Sequence, residues 1–79
     1  MANPKRVKRA ILEVVENQLR DNEPPETQET LKRLLATGYS RQVAVEMIGA
    51  AIASEIWQVV HEKQAYDPER YKAALNKIG

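Results

Sequence analysis

The sequence predicts an all-α protein: a four-helix single domain over residues 1–79, with one long, mostly buried third helix. Apolar residues recur every three or four positions in four segments, which is the spacing of a helix face. Proline or a capping side chain stands at the start of each segment, and no segment shows the two-residue alternation of a strand. A chain of this length forms one domain, whose core is close to the smallest that folds alone.

The first helix is expected over about residues 4–20. Asn3 can cap it, and Pro4 suits its first turn, where an N–H group would have no helical partner. Its apolar stripe consists of Val7, Ala10, Ile11, Val14, Val15 and Leu19. Positive charge is unfavourable at the start of a helix, yet the first turns carry four cations: Lys5, Arg6, Lys8 and Arg9.

The second helix is expected over about residues 24–37, after the segment "DNEPPE". Prolines preset the backbone for a helix start, and the acidic residues around them complement the helix dipole. Gly38 fits the left-handed position that follows many helices. Ser40 can then cap the third helix through its hydroxyl oxygen.

The third helix is expected over about residues 41–63 and is the most apolar part of the chain. Apolar residues surround most of its circumference, and a helix that is apolar on all sides is buried on all sides. Gly49 and the alanines beside it would let a neighbouring backbone approach closely. At 1.5 Å per residue the helix would be about 34 Å long, so several shorter helices must cover it.

The fourth helix is expected over about residues 67–78. Asp67 caps it, Pro68 takes the first position, and Glu69 complements the dipole. The helix has one apolar face, formed by Tyr71, Ala74, Leu75 and Ile78. Trp57, Tyr66 and Tyr71 are expected to lock this helix onto the third one.

Composition excludes several classes of function. Twelve basic and 11 acidic residues nearly cancel, so no global field attracts the chain to nucleic acid or anionic lipid. The chain has no cysteine, which excludes disulfides and thiolate metal ligands. No run approaches the roughly 20 apolar residues that span a bilayer, and acidic residues interrupt any signal-peptide core. A cytoplasmic protein that does not bind membranes is therefore expected.

The segment "ATGYSRQVAVEMI", which contains a turn, resembles two known motifs. A glycine turn followed by Ser40, Arg41 and Gln42 resembles a helix-turn-helix motif. A recognition helix, however, needs a polar face for the groove, and this helix is apolar from Val43 to Ala53. Gly38-Tyr39-Ser40 also resembles the turn of ubiquitin-associated domains, but the third helix is too long for such a three-helix bundle. A plain helical hairpin is the favoured interpretation.

The sequence offers no catalytic, metal-binding or cofactor-binding residues. His61 is the only histidine, and its place near a helix end favours shielding of a core edge over metal binding. Three glycines are too few for a phosphate or cofactor loop. Glu13 and Glu16 are interpreted as surface charges. An enzyme or metal-binding protein would need residues from a partner chain.

Several segments together resemble a group of small bacterial all-helical proteins of unknown function. The segments are "NP", "ENQL", "PPE", "GYSR", "EIW" and "YDPERY", and they extend over most of the chain. The resemblance implies histidines in the first helix and after the "GYSR" turn of such proteins. This chain has none in the first helix and has Gln42, Val43 and Glu46 after the turn, so a metal site of that kind would be absent. No activity is implied.

The sequence therefore favours a non-catalytic assembly or interaction module. The alternative is a nucleic-acid-associated protein that contacts phosphates through Lys5, Arg6, Lys8 and Arg9. A homodimer is expected, because the third helix offers more apolar surface than its neighbours can cover. The residues expected at the dimer interface are Val45, Gly49, Ile52 and Ile56.

Overall fold

A computed structural model describes residues 3–79 and confirms the all-α fold class. Four helices follow one another: α1 (Pro4–Asp21), α2 (Pro25–Thr37), α3 (Arg41–His61) and α4 (Pro68–Lys77). The bounds lie within two residues of those expected, and the largest difference is at the end of α3. No strand occurs in residues 3–79.

Capping side chains define three of the helix starts, as the sequence predicts. Asn3 accepts a hydrogen bond from the Lys5 backbone N–H at 2.9 Å, and Ser40 accepts one from Val43 at 3.2 Å. Asp67 accepts one from the backbone N–H of Glu69 at 3.0 Å. Each bond satisfies an amide that has no partner within its helix. These local bonds fix where α1, α3 and α4 begin.

Gly38 ends α2 in the left-handed conformation, with φ of +111°. Its amide bonds back to the last turn of α2, and nothing lies within 4 Å of the position that a Cβ atom would occupy. A substitution at Gly38 therefore meets backbone strain alone.

We expect Gly38→Val to lower the free energy of unfolding by about 1–2 kcal/mol, because a β-branched residue adopts positive φ poorly. Urea denaturation of the two proteins measures this loss. Gly38→Asn is the matched control and should lose less, since asparagine tolerates the left-handed region better. An unchanged midpoint for the valine variant would show that the α2–α3 turn does not need this conformation.

The core lies along one side of α3, which packs against each of the other three helices. Ala44, Ile48 and Ala51 of α3 are buried there. The other helices contribute five buried apolar residues to this core: Val15, Leu31, Leu34, Tyr71 and Leu75.

The burial of α3 is only partial, so the expectation of a mostly buried helix holds for one side alone. Val43, Ile56, Trp57 and Val60 are all more than two fifths exposed. The three shorter helices cover one side of α3 and leave part of its C-terminal half open. Helix α3 is therefore apolar around most of its circumference but buried on one side only.

In length and composition α3 also meets the requirements of a membrane-spanning helix, although the sequence contains no uninterrupted apolar run. Its most apolar window has a mean hydropathy of 1.5, and it is the only such helix in residues 3–79. Within the fold, 39% of that window is buried against the rest of the chain. The core helix of a globular protein has these same properties, so the pattern alone does not indicate a membrane.

Candidate interaction surface

Three of the four residues expected at a dimer interface are buried within their own chain. Val45 and Ile52 are 5% and 6% exposed, and Gly49 is buried as well. Only Ile56 lies on the surface, with 47% of its area exposed. The position of the exposed surface therefore differs from the expectation, because α1 covers the middle of α3.

Gly49 is the place where α1 meets α3. A Cβ atom at this position would lie 3.2 Å from Cγ2 of Ile11 and 3.5 Å from Cδ2 of Leu12. The first distance is shorter than an ordinary van der Waals contact and the second is an ordinary one. A side chain larger than that of alanine would therefore push the two helices apart. The sequence predicts a close approach at Gly49, and the structure assigns it to α1 of the same chain.

Half-exposed apolar side chains lie on both helices beside this contact. On α1, Val7 is 46% and Val14 39% exposed; on α3, Ile56 is 47% and Val60 63% exposed. Each pair is spaced by four or seven residues, which places its members along one side of their helix. We call this surface the α1–α3 face, and it comprises Val7, Ala10, Ile11, Val14, Ala53, Ile56 and Val60.

Two apolar grooves lie along the α1–α3 face. The first has a volume of about 450 Å³, and its lining includes Val7, Ile11, Ala50 and Ala53. The second has a volume of about 260 Å³. Its lining includes Val14, Gln18, Ile52, Ile56, Val59 and Tyr66. Both grooves are open at the surface, so an apolar partner can reach them without opening the core.

A partly buried polar network includes Gln18 and Tyr71 from the lining of the second groove. Oε1 of Gln18 accepts hydrogen bonds from the hydroxyls of Thr27 and Tyr71, each at 2.8 Å. Burial raises the pKa of Tyr71, partly offset by its hydrogen bonds to Thr27 and Gln18. The network joins α1, α2 and α4 and satisfies polar groups that would otherwise be costly to bury. Nothing in the sequence pattern marks Gln18 for this role.

The aromatic residues are arranged differently from the sequence expectation. Tyr71 is buried between helices, but Trp57 and Tyr66 are about half exposed. The ring of His61 stacks on Trp57 with their centroids 5.0 Å apart, and His61 is itself exposed. Of these three aromatic residues, only Tyr71 is therefore buried in the core, and the exposed ring of His61 pairs with Trp57 on the surface instead of shielding the core.

Glu55 holds the start of α4 against α3, a role that the sequence does not reveal. Its carboxylate accepts hydrogen bonds from Arg70 at 2.6 and 2.8 Å and from the backbone N–H of Asp67 at 3.2 Å. The bonds from Arg70 hold the pKa of Glu55 below its ordinary value, against the opposing effect of burial. Arg70 also donates to Gln64 and Ala65, so it orders the loop between the two helices.

The four candidate phosphate contacts are all exposed on the first turns of α1. Lys8 lies 3.7 Å from Glu46, and no other ion pair of Lys5, Arg6, Lys8 or Arg9 occurs in residues 3–79. The acidic loop before α2 does not neutralise them. They form a basic patch confined to one end of one helix.

The cation at the start of α3 is already paired within the chain. Arg41 donates two hydrogen bonds of 2.8 Å to the carboxylate of Glu16, and this contact lowers the pKa of Glu16. The pair joins α3 to α1 on the surface. A recognition helix would need that guanidinium for a base or a phosphate. The contact thus favours the helical-hairpin interpretation of the "ATGYSRQ" segment.

The described residues hold no candidate metal centre. In residues 3–79 there is no group of three or more histidine, cysteine, aspartate or glutamate side chains placed to hold an ion. His61 stands beside Trp57 and apart from any such group.

Comparison with known proteins gives no match to a family model, a curated protein or a solved structure. The resemblance to small bacterial proteins of unknown function stays a prediction from the sequence. What the protein does is therefore inferred from the contacts, exposure and charge of its own residues.

Proposed function

We propose that this protein is a non-catalytic interaction module that works as a homodimer, with two copies packed through the α1–α3 face. The observation that supports this proposal is the row of half-exposed apolar side chains formed by Val7, Val14, Ile56 and Val60. Single exposed apolar residues are normal on a protein surface, but a contiguous group of them is typical of a contact site.

A second copy suits this face better than an unrelated partner. The formal net charge is +1, so two copies repel each other weakly. A domain of 79 residues buries a modest core, and pairing through an apolar face enlarges it. A twofold interface also brings the same patch of both copies together. Apolar side chains can pack against identical apolar side chains, so the centre of such an interface needs no opposite charges.

The proposal predicts a mass of about 18 kDa in solution, twice the chain mass of 9.0 kDa. We expect Ile56→Glu to convert the dimer to a folded monomer, because burial of a new carboxylate at the interface is unfavourable. Light scattering measures the mass and circular dichroism the helix content. Ile52→Glu should unfold the protein instead, since Ile52 is buried within the chain.

Val43→Glu is the matched control for Ile56→Glu. Val43 lies on the same helix and is 44% exposed, but it stands at the opposite end of α3 from Ile56. Its replacement should leave the mass at about 18 kDa. A parent protein of about 9 kDa at every concentration up to hundreds of micromolar would contradict the homodimer, and equal dissociation by both variants would contradict this choice of face.

The second candidate function is association with nucleic acid through the start of α1. The four cations there have one ion pair among residues 3–79, so they can contact phosphates. Such binding would weaken steeply as salt is raised. A fluorescence titration with a generic DNA duplex at low and high salt tests it. A complex that disappears when Lys5, Arg6, Lys8 and Arg9 are changed to glutamine would favour this function over dimerisation alone.

A further inference from the structure

Charge is segregated along α1. Residues 4–12 carry four cations and no acid, whereas residues 13–21 carry three acids and one cation. No acidic residue lies in the first turn, so the cations stand at the positive end of the helix dipole without compensation there. The helix is therefore basic at one end and acidic at the other, with apolar residues between.

Contacts within the chain use only part of this charge. Lys8 pairs with Glu46, Glu16 with Arg41, and Arg20 with Asp21. Within residues 3–79, no ion pair forms to Lys5, Arg6 or Arg9 at the basic end, nor to Glu13 in the acidic half of the helix. Charges of both signs on this helix can therefore still pair with a partner: three cations at the basic end, and Glu13 in the acidic half.

The apolar row of α1 lies between these two ends. Val7, Ala10 and Val14 follow at intervals of three and four residues, and all three are exposed. In an antiparallel pair of α1 helices centred on Ala10, Val7 of one copy lies close to Val14 of the other. The basic end of each helix then lies opposite the acidic end of its partner. The surface of α1 is therefore complementary to itself when two copies run in opposite directions.

We propose that α1 of one copy lies antiparallel to α1 of the second, with the twofold axis near Ala10, so that Arg6 faces the partner's acidic half. This inference rests on the homodimer proposed above and adds its orientation. Opposite charges then meet at both ends of the pair, and the apolar rows meet in the middle. Complementary charges of this kind fix register and orientation more than they raise affinity.

Other arrangements fit the surface less well. A parallel pair would place the basic ends side by side, and like charges at an interface cost energy. A nucleic acid would satisfy the cations but would leave Val7 and Val14 without an apolar partner and would repel the acidic half of α1. Only the antiparallel pair uses the cations, the acids and the apolar row together.

The orientation can be tested with single cysteines, because the chain contains none of its own. Ala10 and Asn17 are both exposed and lie two turns apart on the same side of α1. In the antiparallel pair, the two copies of position 10 are adjacent, whereas those of position 17 are about 20 Å apart. A disulfide needs Cα atoms within about 7 Å. Under mild oxidation, Ala10→Cys should therefore cross-link to itself at least ten times faster than Asn17→Cys.

Outcomes of the cross-linking separate this inference from the homodimer. Equal cross-linking at both positions would indicate a parallel pair and overturn the orientation. A mass of about 18 kDa with no cross-linking at either position would overturn it while leaving the homodimer intact. A mass of about 9 kDa for the parent would overturn both.

A charge exchange supplies an independent measurement. Arg6→Glu and Glu13→Arg should each weaken dimerisation several-fold, because each places like charges across the interface, and the double variant should recover the parent affinity. Sedimentation equilibrium at low salt measures all four proteins. Failure of the double variant to recover would overturn the antiparallel pairing. Tight DNA binding by the parent, lost in Arg6→Glu while the mass stays unchanged, would overturn it in favour of a phosphate-binding patch.

Discussion

Gly49→Val is expected to lower the free energy of unfolding by about 2–3 kcal/mol, the largest loss that we predict for a change of this size. The Cβ atom alone would stand 3.2 Å from Ile11 and 3.5 Å from Leu12. The two methyl groups of valine extend beyond that point, so α1 must move away from α3. Helix propensity acts in the opposite direction, because valine suits a helix interior better than glycine, but that gain is only a few tenths of a kcal/mol.

Two variants give this prediction its controls. Ser54→Val adds similar bulk at an exposed position of the same helix that lines neither groove, and it should change stability by less than about 0.5 kcal/mol. Gly49→Ala adds the Cβ atom alone. Its tight contact with Ile11 opposes a propensity gain of about 1 kcal/mol, so the net change should be small.

Thermal unfolding at one fixed protein concentration measures all three variants. For a domain of this size a loss of 2–3 kcal/mol corresponds to a fall in Tm of roughly 10–20 °C. If Gly49→Val melts together with Ser54→Val, the contact between α1 and α3 is looser than the structure shows. The comparison therefore tests the packing at the centre of the fold.

Features set by local sequence could be predicted, whereas features set by tertiary contacts could not. Asn3, Ser40 and Asp67 cap helices through bonds to amides two or three residues away, so the sequence alone reveals them. Gly49 could be recognised as a site of close approach, but the helix that approaches it could not. A glycine in a helix leaves room for a neighbouring element to approach closely, but it does not show which element fills that room.

The candidate interface shows the same limit. The sequence indicates surplus apolar surface on α3, and the structure does leave apolar groups exposed. Val45 and Ile52 could not be separated from Ile56 by periodicity, because all three lie toward one side of the helix. Which of them is buried depends on where α1 crosses α3. Gln18 and Glu55 were missed for a related reason: their partners lie 9 to 53 residues away in sequence.

Glu55→Gln is expected to lower the free energy of unfolding by about 1–2 kcal/mol at neutral pH. The side chain of Glu55 is 7% exposed and receives two hydrogen bonds from Arg70 and one from Asp67. Glutamine keeps one acceptor oxygen but loses the charge. Because the side chain of Arg70 is 30% exposed, water can solvate it after the change, and the loss stays below that of a fully buried ion pair.

The pH dependence of this loss provides the sharper test. The pKa of Glu55 is lowered in the folded protein from an ordinary value of 4.5, chiefly by the hydrogen bonds from Arg70. The unfolded chain therefore binds the proton first as the pH falls. The stabilisation from the charged carboxylate is fully present above the unfolded-state pKa and disappears as the pH falls through the lower, folded-state pKa.

The difference in stability between the parent and Glu55→Gln should accordingly be constant above about pH 6 and shrink at acidic pH, since the parent then also carries a neutral side chain. Urea denaturation between pH 2.5 and pH 7 measures it at one protein concentration. Glu29→Gln is the control, because Glu29 is exposed and makes no ion pair in residues 3–79. A difference that does not change with pH would mean that Glu55 acts through packing, and the ion pair would then not hold α4 on α3.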